Sequence, residues 1–188
     1  MKQVLLKKGS VLLEEVPAPN AGPGRILVQV DHSCISVGTE LSGVVNSGMP
    51  LWKRAMKQPE NVKKSLDMMA ERGVRKTIDH ISGKLGTGTP IGYSAAGVVL
   101  DVGPGVDRFR IGDRVACAGA QCANHAELIA VPENLATPVP DEIDLAEACT
   151  VTLGAIAMQG VRRFEPTLGE TVVVVGLGIL GQITCQLL

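Results

Sequence analysis

The chain has 188 residues, a formal net charge of −1, a hydrophobic share of 45% and a mean hydropathy of +0.23. This composition supports a packed core for one domain, or for one domain and part of a second. A net charge this small gives no general attraction to nucleic acid or to anionic membranes, and no apolar run approaches the roughly 20 residues of a membrane span. Four aromatic residues are too few for a base-stacking surface. They are Trp52, Tyr93, Phe109 and Phe164.

The five cysteines are an odd number, and Met1–Lys8 is too short and too charged for a secretory leader. We therefore expect reduced thiols in a cytoplasmic protein rather than disulfides. Cys117, Cys122 and His125 have a loosely ligand-like spacing, which Cys34 would extend, but this spacing fits no zinc knuckle. Buried, inert thiols are the stronger interpretation of this segment.

Alternating apolar and polar residues predict one or two strands over Lys2–Val16 and another strand over Arg25–Asp31. Between them, Pro17–Gly24 breaks regular structure. The polar stretch His32–Glu40 follows the second strand segment. We predict a loop there, at a strand end where loops commonly carry function.

Residues 51–84 change in character and predict a helical insert. Pro59–Gly73 places proline at a first helical position and glycine at a stop, and a second short helix is predicted from Val74 to about Ser82. The insert holds nine Lys/Arg and four Asp/Glu, or +5, whereas the rest of the chain holds nine and fifteen, or −6. Two interpretations stay open, a solvated helical face and a basic lid that attracts an anionic substrate.

Short strands are predicted again over Gly92–Gly103, Val106–Ala116 and His125–Pro132, with Gly112-Asp113 as a hairpin signal. A helix is predicted next.

This helix runs from Asp144 to about Val161, because Asp144 is a candidate N-cap and Glu147 stands three residues later. Pro166–Gly169 then turns the chain into its last motif.

The last motif has the order of a dinucleotide-binding turn. The β-branched run Thr171–Val175 predicts a strand buried on both faces of a parallel sheet, and Ile179–Leu188 opens a helix. Of the three glycines between them, the first permits a tight turn, the second lets the main chain approach a pyrophosphate, and the third lets helix and strand pack closely. Free N–H groups at the helix start would meet the phosphate charge. The candidate cofactor-binding residues are Gly176, Gly178, Ile179, Leu180 and Gly181.

Only seven residues follow Gly181, whereas the unit needs about 30 residues and an acidic residue about 20 further on. We therefore expect the chain to be the front part of a longer enzyme that binds NAD or NADP. By itself, the 188-residue chain is expected to bind the cofactor weakly or not at all.

An ordered set of motifs runs along the chain at Val102–Val115, Ala126–Glu127, Val131–Pro132 and Gly169–Gly176. These motifs resemble the medium-chain, zinc-type alcohol dehydrogenase family. The resemblance implies a mainly β, GroES-like, partly closed barrel followed by a Rossmann α/β domain, with the active site in the cleft between them. It places the GroES-like catalytic domain at 1–143, with the helical insert at 51–84, and the linker helix with a truncated Rossmann start at 144–188.

A narrower similarity is to bi-domain oxidoreductases, which fuse such a dehydrogenase to a second, sugar-oxidoreductase-like domain, often in polysaccharide biosynthesis. The segments that carry it are Cys34–Glu40, Gly88–Gly97 and Thr150–Ala157.

The chain departs from the zinc-binding pattern of the family. Two of the positions of the three catalytic ligands fall on Ser36 and Tyr93, and the third falls near Val151–Leu153, with Cys149 close but out of register. A hydroxyl, a phenol and an aliphatic side chain cannot replace thiolate and imidazole on Zn²⁺. The four-cysteine structural lobe of the family is missing too. The chain thus resembles a zinc-less branch, and no zinc is expected at the usual site.

Without zinc, hydrogen-bond donors must polarise the substrate oxygen. The resemblance places Tyr93, Ser36 and Thr39 at the cleft, so these residues and Glu40 are the candidate catalytic residues. Tyr93 would donate to a carbonyl oxygen, and Glu40 would orient a hydroxyl or take its proton. Structural roles stay open: Tyr93 as a core aromatic, Ser36 and Thr39 as turn caps, and Glu40 in a local bond.

These features predict a zinc-independent NAD(P)-dependent oxidoreductase acting on a sugar-like or other small polar alcohol or carbonyl compound. The alternatives are a quinone or enone reductase and a non-catalytic nucleotide-binding or assembly module. The expected partner is a small molecule, with an anionic or nucleotide-linked sugar left open, as is a homo-oligomer.

Overall fold

A computed structural model describes residues 1–7, 9–49 and 88–188. The predicted insert at 51–84 lies outside the described residues, so its two helices and its proposed role as a lid stay predictions. In chain order the strands are β1 (Lys2–Lys7), β2 (Ser10–Glu15), β3 (Arg25–Ser33), β4 (Thr89–Pro90), β5 (Ser94–Val102), β6 (Arg114–Ala118), β7 (Leu128–Pro132) and β8 (Ala136–Pro138). The helices are α1 (Val37–Gly48), α2 (Leu145–Ala148), α3 (Val151–Phe164) and α4 (Ile179–Leu187), with a 3₁₀ turn at Glu133–Leu135.

The chain divides into two compact units. The first unit consists of Met1, Val16–Ser36 and Gly92–Leu188, and the second of Lys2–Glu15 and Val37–Ile91. The two units are defined by contacts within the chain. They do not test the predicted domain boundary at 143/144, which stays a prediction.

The first unit is built on a five-stranded antiparallel sheet in the order β7-β3-β5-β6-β8. Ile26 and Val28 of β3 are fully buried on one face, as their alternation predicts, and Phe109 closes the same core from the loop before β6. Each fully buried Val or Ile contributes roughly 1.5–3 kcal/mol through the apolar surface that it removes from water. Within the segment Val106–Ala116, the turn predicted at Gly112-Asp113 is present, with a positive φ at Gly112, and only the residues from Arg114 onward form a strand, β6.

The opposite face of β5 and β6 packs against helices, since neighbouring residues on a strand point to opposite faces. We call this packing the second core cluster. Its buried members are Cys34, Ala96, Ala116, Val139, Cys149 and Leu153, and the half-buried residues packed against them are Tyr93, Leu145, Ala148, Val151, Ile179 and Ile183. Residues from β5, from α2 and α3 and from α4 therefore share one core.

The single helix predicted from Asp144 to about Val161 is two helices, α2 and α3. Asp144 is the predicted N-cap, and its Oδ1 accepts a hydrogen bond from the N–H of Ala146 at 2.9 Å. The helix is interrupted because the hydroxyl of Ser94 inserts at the junction and hydrogen-bonds the carbonyl of Cys149 and the N–H of Thr152. Insertion of a side chain into the helical ladder is a general cause of such breaks.

The second unit contains a three-stranded sheet in the order β2-β1-β4, with α1 packed on β1 and β2. β1 and β2 confirm the strands predicted over Lys2–Val16. The loop predicted over His32–Glu40 is wrong in its second half, because α1 begins at Val37. Val37, Leu41 and Val45 recur at helical spacing, but Gly38 and Gly43 lower the helical propensity and hid this pattern.

The strand predicted at Thr171–Val175 is not formed. No described segment pairs with these residues, and Val173 and Val175 are 80% and 93% exposed. A strand requires a neighbour for its N–H and C=O groups, which side-chain pattern alone does not provide. The helix predicted after the glycines is confirmed as α4. Among the described residues, no helix combines the length and the apolar character needed to cross a membrane.

Candidate functional site

Tyr93 stands at the entrance to β5, directly after a glycine that the local structure requires. Gly92 has a φ of +97°, and a Cβ at this position would lie 2.8 Å from the main-chain N of His125 and 3.0 Å from two atoms of its ring. A side chain at position 92 would thus be strained and would also push the His125 ring away. The Tyr93 ring is half-buried and packs against the second core cluster.

The main chain of Tyr93 is fixed by two hydrogen bonds. Its carbonyl accepts one from the N–H of Gly119 at 2.9 Å and one from the Thr152 hydroxyl at 3.2 Å. Within the described part of the chain, no residue is hydrogen-bonded to the Tyr93 hydroxyl. The residue is therefore held by its main chain, while its phenol is free to meet a ligand.

Ser94 is completely buried and ties β5 to the junction of α2 and α3. Its hydroxyl donates to the carbonyl of Cys149 at 2.6 Å and accepts from the N–H of Thr152 at 3.2 Å. Its carbonyl accepts from the N–H of Cys34 at 2.9 Å. The sequence interpretation missed Ser94 and Thr152. A hydroxyl directly before Ala95 and Ala96 in a buried strand was the signal, because such a group needs a partner.

The other three candidate catalytic residues lie near the start of α1. Ser36 is buried and directly precedes α1, whereas Thr39 is exposed and Glu40 half-buried in its first turn. A carboxylate in the first turn is favoured by the helix dipole, which is a structural reason for Glu40. Ser36 and Tyr93 belong to the first unit, and Thr39 and Glu40 to the second. A shared catalytic role of the four stays a prediction.

Burial raises the pKa values of two thiols. The pKa of Cys149 is raised to about 11, helped by the hydrogen-bonded thiol of Cys34, and burial beside Cys122 raises the pKa of Cys117 to about 12. His125 Nδ1 lies 2.8 Å from the Ser33 hydroxyl.

The residues that the sequence resemblance places at zinc-ligand positions do not have the donor chemistry of a zinc site. Ser36 and Tyr93 offer a hydroxyl and a phenol, and Leu153, in the third region, is fully buried and apolar. The part of the chain that the structure describes contains no group of three or more His, Cys, Asp or Glu side chains able to hold a metal ion.

The glycine turn has the geometry expected of a dinucleotide-binding turn. Gly176 has a φ of +94°, a Cβ at Gly181 would overlap the carbonyl oxygen of Gly176, and a Cβ at Gly178 would meet nothing within 4 Å. This geometry agrees with the tight turn, the open approach and the close packing predicted for the three glycines, and their role in binding a cofactor stays a prediction. Ile179 packs into the second core cluster, whereas Leu180 is 37% exposed. The N–H groups at the start of α4 precede its first intrahelical bond, from Gln182 N to Gly178 O at 2.9 Å.

Residues 67–141 match the family model of the alcohol dehydrogenase GroES-like domain. Over these residues the chain is similar to the GroES-like domain of the medium-chain dehydrogenase/reductase family. Among curated relatives of this GroES-like chain, a quinone oxidoreductase of Pseudomonas aeruginosa is 35% identical over 99 residues, which are 51% of this chain and 30% of that protein.

Solved structures share the fold of the GroES-like chain. A quinone oxidoreductase from Coxiella burnetii matches with a TM-score of 0.73 and 17% identity over 100% of this chain and 52% of its own. Galactitol-1-phosphate dehydrogenase from Escherichia coli matches with a TM-score of 0.72 and 16% identity over the same shares. Escherichia coli quinone oxidoreductase, solved with NADPH, matches with a TM-score of 0.60 and 16% identity over 87% of this chain and 41% of its own.

These matches confirm a GroES-like, mainly β half-barrel with helices. The chain spans about half the length, or less, of these relatives. The ligands and substrates of these relatives are therefore properties of those proteins, and they support a proposal for this chain.

Proposed function

We propose that the protein containing this chain is a zinc-independent, NAD(P)-dependent oxidoreductase. The observation that carries the proposal is the glycine turn, in which Gly176 adopts a positive φ, Gly178 faces open space and Gly181 packs against Gly176. The helix that follows this turn packs on the same core cluster as Tyr93. A cofactor-binding element and a hydrogen-bond donor are thus held by one core.

In the proposed reaction each candidate residue has a separate role. The main chain at Gly176 and Gly178 and the start of α4 would hold the pyrophosphate of the dinucleotide. When bound, the nicotinamide supplies or accepts the hydride. Tyr93 donates a hydrogen bond to the substrate oxygen and stabilises the charge that develops there, the task that zinc performs in zinc-dependent relatives. Ser36 and Thr39 are further donors in the proposal, and Glu40 holds or takes the proton of a substrate hydroxyl.

The proposed substrates are sugar-like or other small polar alcohols and carbonyl compounds. This class rests on the motif similarity to bi-domain oxidoreductases, and the fold shared with galactitol-1-phosphate dehydrogenase is compatible with it. A second candidate activity is the reduction of quinones or enones. It is favoured by the local identity of 35% to a quinone oxidoreductase and by a donor set that does not fit zinc. Conjugate reduction needs less polarisation of the oxygen than alcohol oxidation.

The proposal includes a cytoplasmic location and no nucleic-acid or membrane partner, both from composition and charge. The basic residues of the segment at 51–84 support an anionic substrate, which predicts a KM that rises with ionic strength.

The test uses protein expressed from the longest reading frame that contains this chain. NADPH and NADH binding is measured by fluorescence, and turnover is measured with 1,4-benzoquinone, 9,10-phenanthrenequinone and panels of polyols and aldoses. Cofactor binding with turnover of one panel, in protein without stoichiometric zinc, is the expected result. Stoichiometric zinc whose removal abolishes turnover would overturn zinc independence, and cofactor binding without any turnover would favour the non-catalytic module.

A further inference from the structure

The start of α3 is capped by a residue from another element. Thr150, the N-cap residue of α3, makes no side-chain cap, because its hydroxyl donates to the carbonyl of Glu147 at 2.8 Å. The N–H of Thr152 is instead satisfied by the hydroxyl of Ser94, which lies at the beginning of β5. Helix N–H groups without an intrahelical acceptor need such a partner when they are removed from water. Ser94 therefore acts as an N-terminal cap supplied from the sheet.

The cap is reciprocal, since α3 also holds the residue next to Ser94. The Thr152 hydroxyl donates to the carbonyl of Tyr93 at 3.2 Å, and the Ser94 hydroxyl donates to the carbonyl of Cys149 at 2.6 Å. Three hydrogen bonds thus join Tyr93 and Ser94, at the start of β5, to residues at the α2–α3 junction. Ser94 is completely buried, so the bonds that it makes are shielded from competing water.

The same helix supports the cofactor element. α4, which begins three residues after Gly176, packs on α3, and its Ile179 and Ile183 contact the second core cluster together with Tyr93. A shift of Tyr93 relative to α3 would therefore also change its place relative to α4. Hydride transfer depends on such relative positions, and a displacement of about 1 Å can reduce a rate by roughly a hundredfold.

We infer that Ser94 and Thr152 are positioning residues, which fix Tyr93 to the start of α3 and thereby hold the phenol in register with the dinucleotide-binding helix. This inference rests on the proposed function, because it gives the bonds a role in placing Tyr93 against a substrate. It adds two residues that lie within the motif segments Gly88–Gly97 and Thr150–Ala157 but were not among the candidate site residues.

Tyr93 is the sole tyrosine of the chain, which makes its position directly observable. Protein grown with 3-fluorotyrosine gives a single ¹⁹F resonance from the chain, provided that any further tyrosine of a longer parent is replaced by Phe. The variants are Thr152→Val, which removes the hydroxyl at nearly constant shape, Thr152→Ser, which keeps it, and Ser94→Ala. Thr150→Val is the matched control, because it deletes a neighbouring hydroxyl whose bond goes to Glu147 and not to Tyr93.

We expect Thr152→Val to move or broaden the ¹⁹F resonance and to lower kcat with 9,10-phenanthrenequinone and NADPH about tenfold. KM should stay within about twofold, because the bonds do not touch the substrate. Thr152→Ser should restore both readouts, and Thr150→Val should change neither. If Ser94→Ala does not fold, the comparison of Thr152→Val with Thr152→Ser still tests the inference.

A wild-type resonance and a wild-type kcat in Thr152→Val, with only a lower thermal midpoint, would overturn the inference and leave a purely structural bond. The proposed function is tested separately with Tyr93→Phe. An unchanged kcat in this variant would remove Tyr93 from the chemistry, and the ¹⁹F result for the Thr152 variants would still stand. If no probe is turned over, the resonance alone decides whether Thr152 positions Tyr93.

Discussion

At the scale of single residues, Tyr93 combines a fixed main chain with an unbonded hydroxyl among the described residues. Because the phenol oxygen takes no part in that hydrogen bonding, Tyr93→Phe should leave the thermal midpoint unchanged. If Tyr93 donates to the developing oxyanion, kcat should fall about tenfold to a hundredfold. Steady-state kinetics and a thermal melt of the same preparation test both parts. A large drop in the midpoint would instead assign Tyr93 to the core.

The buried thiols predict a weakening of the fold at alkaline pH. An ordinary thiol has a pKa of 9.0, whereas burial raises the pKa of Cys149 to about 11 and that of Cys117 to about 12. Above pH 9 the unfolded chain releases these protons while the folded chain keeps them, so the free energy of unfolding falls as the pH rises from 9 towards 12. Urea titrations at pH 8, 9 and 10 measure the slope.

The matched variants for this prediction are Cys117→Ala and Cys185→Ala. Cys117→Ala removes a buried thiol and should make the alkaline loss of stability shallower, although it also leaves a small cavity at all pH values. Cys185 is exposed and should have no effect on the slope. Equal slopes in wild type and Cys117→Ala would contradict the assignment.

Residue patterns predicted the conformation of the glycine turn but not the bonds of Ser94. The positive φ of Gly176 and the tight contact of Gly181 follow from local chain geometry, which sequence spacing encodes. The bonds of Ser94 to Cys149 and Thr152 join residues more than 50 positions apart, and no local pattern specifies such a partner. In the sequence, Ser94 could be recognised only as a hydroxyl in a buried strand, where it needs a hydrogen-bond partner.

At the scale of elements, the glycine turn allows a paired substitution. A methyl group at Gly181 would overlap the Gly176 carbonyl, whereas one at Gly178 faces open space at an ordinary φ of −71°. Gly181→Ala should destabilise the fold by about 1–3 kcal/mol, as overpacking does. Gly178→Ala should change stability by less than about 0.5 kcal/mol. Both should weaken NADPH binding, for different reasons.

Chemical denaturation and NADPH titration in the longest reading frame containing the chain measure these effects. Gly178 is the informative position, because its side-chain space is where the main chain would approach the pyrophosphate. A Gly178→Ala variant with full affinity for both NADPH and NADH would contradict the assignment of this turn to the cofactor.

Strand and helix predictions succeeded where one face meets a core. β3 and β5 lie where alternation places them, because Ile26, Val28 and Val99 fill one side of the sheet. The strand at Thr171–Val175 failed for the opposite reason, since its side chains are right for a buried strand but no described segment pairs with it. The sequence pattern over Asp144–Val161 predicted one continuous helix. The structure has two helices, because the side chain of Ser94, from β5, hydrogen-bonds at their junction.

At the scale of the whole molecule, the GroES-like fold was predictable because its motifs occur in a fixed order along the chain. The division of the candidate catalytic residues between the two compact units was not predictable from the sequence. Ser36 and Thr39 are three positions apart, yet they belong to different compact units, because the chain leaves the first unit at Ser36 and enters the second at Val37. Sequence proximity thus did not determine which elements hold each residue.

The coupling of the cofactor helix to the core predicts that NADPH stabilises the protein. A ligand that binds only the folded state adds RT ln(1 + [L]/Kd), or about 2.7 kcal/mol when its concentration is 100 times Kd. In protein from the longest reading frame, NADPH should raise the thermal midpoint in proportion to the logarithm of its concentration. Thr152→Val should retain this rise, because it loosens Tyr93 and not the glycine turn, whereas Gly178→Ala should reduce it. The 188-residue chain spans about half the length of its structural relatives, so it should respond less than the longer protein. An equal NADPH-dependent shift in the 188-residue chain would show that the adenosine side of the cofactor is not needed for binding.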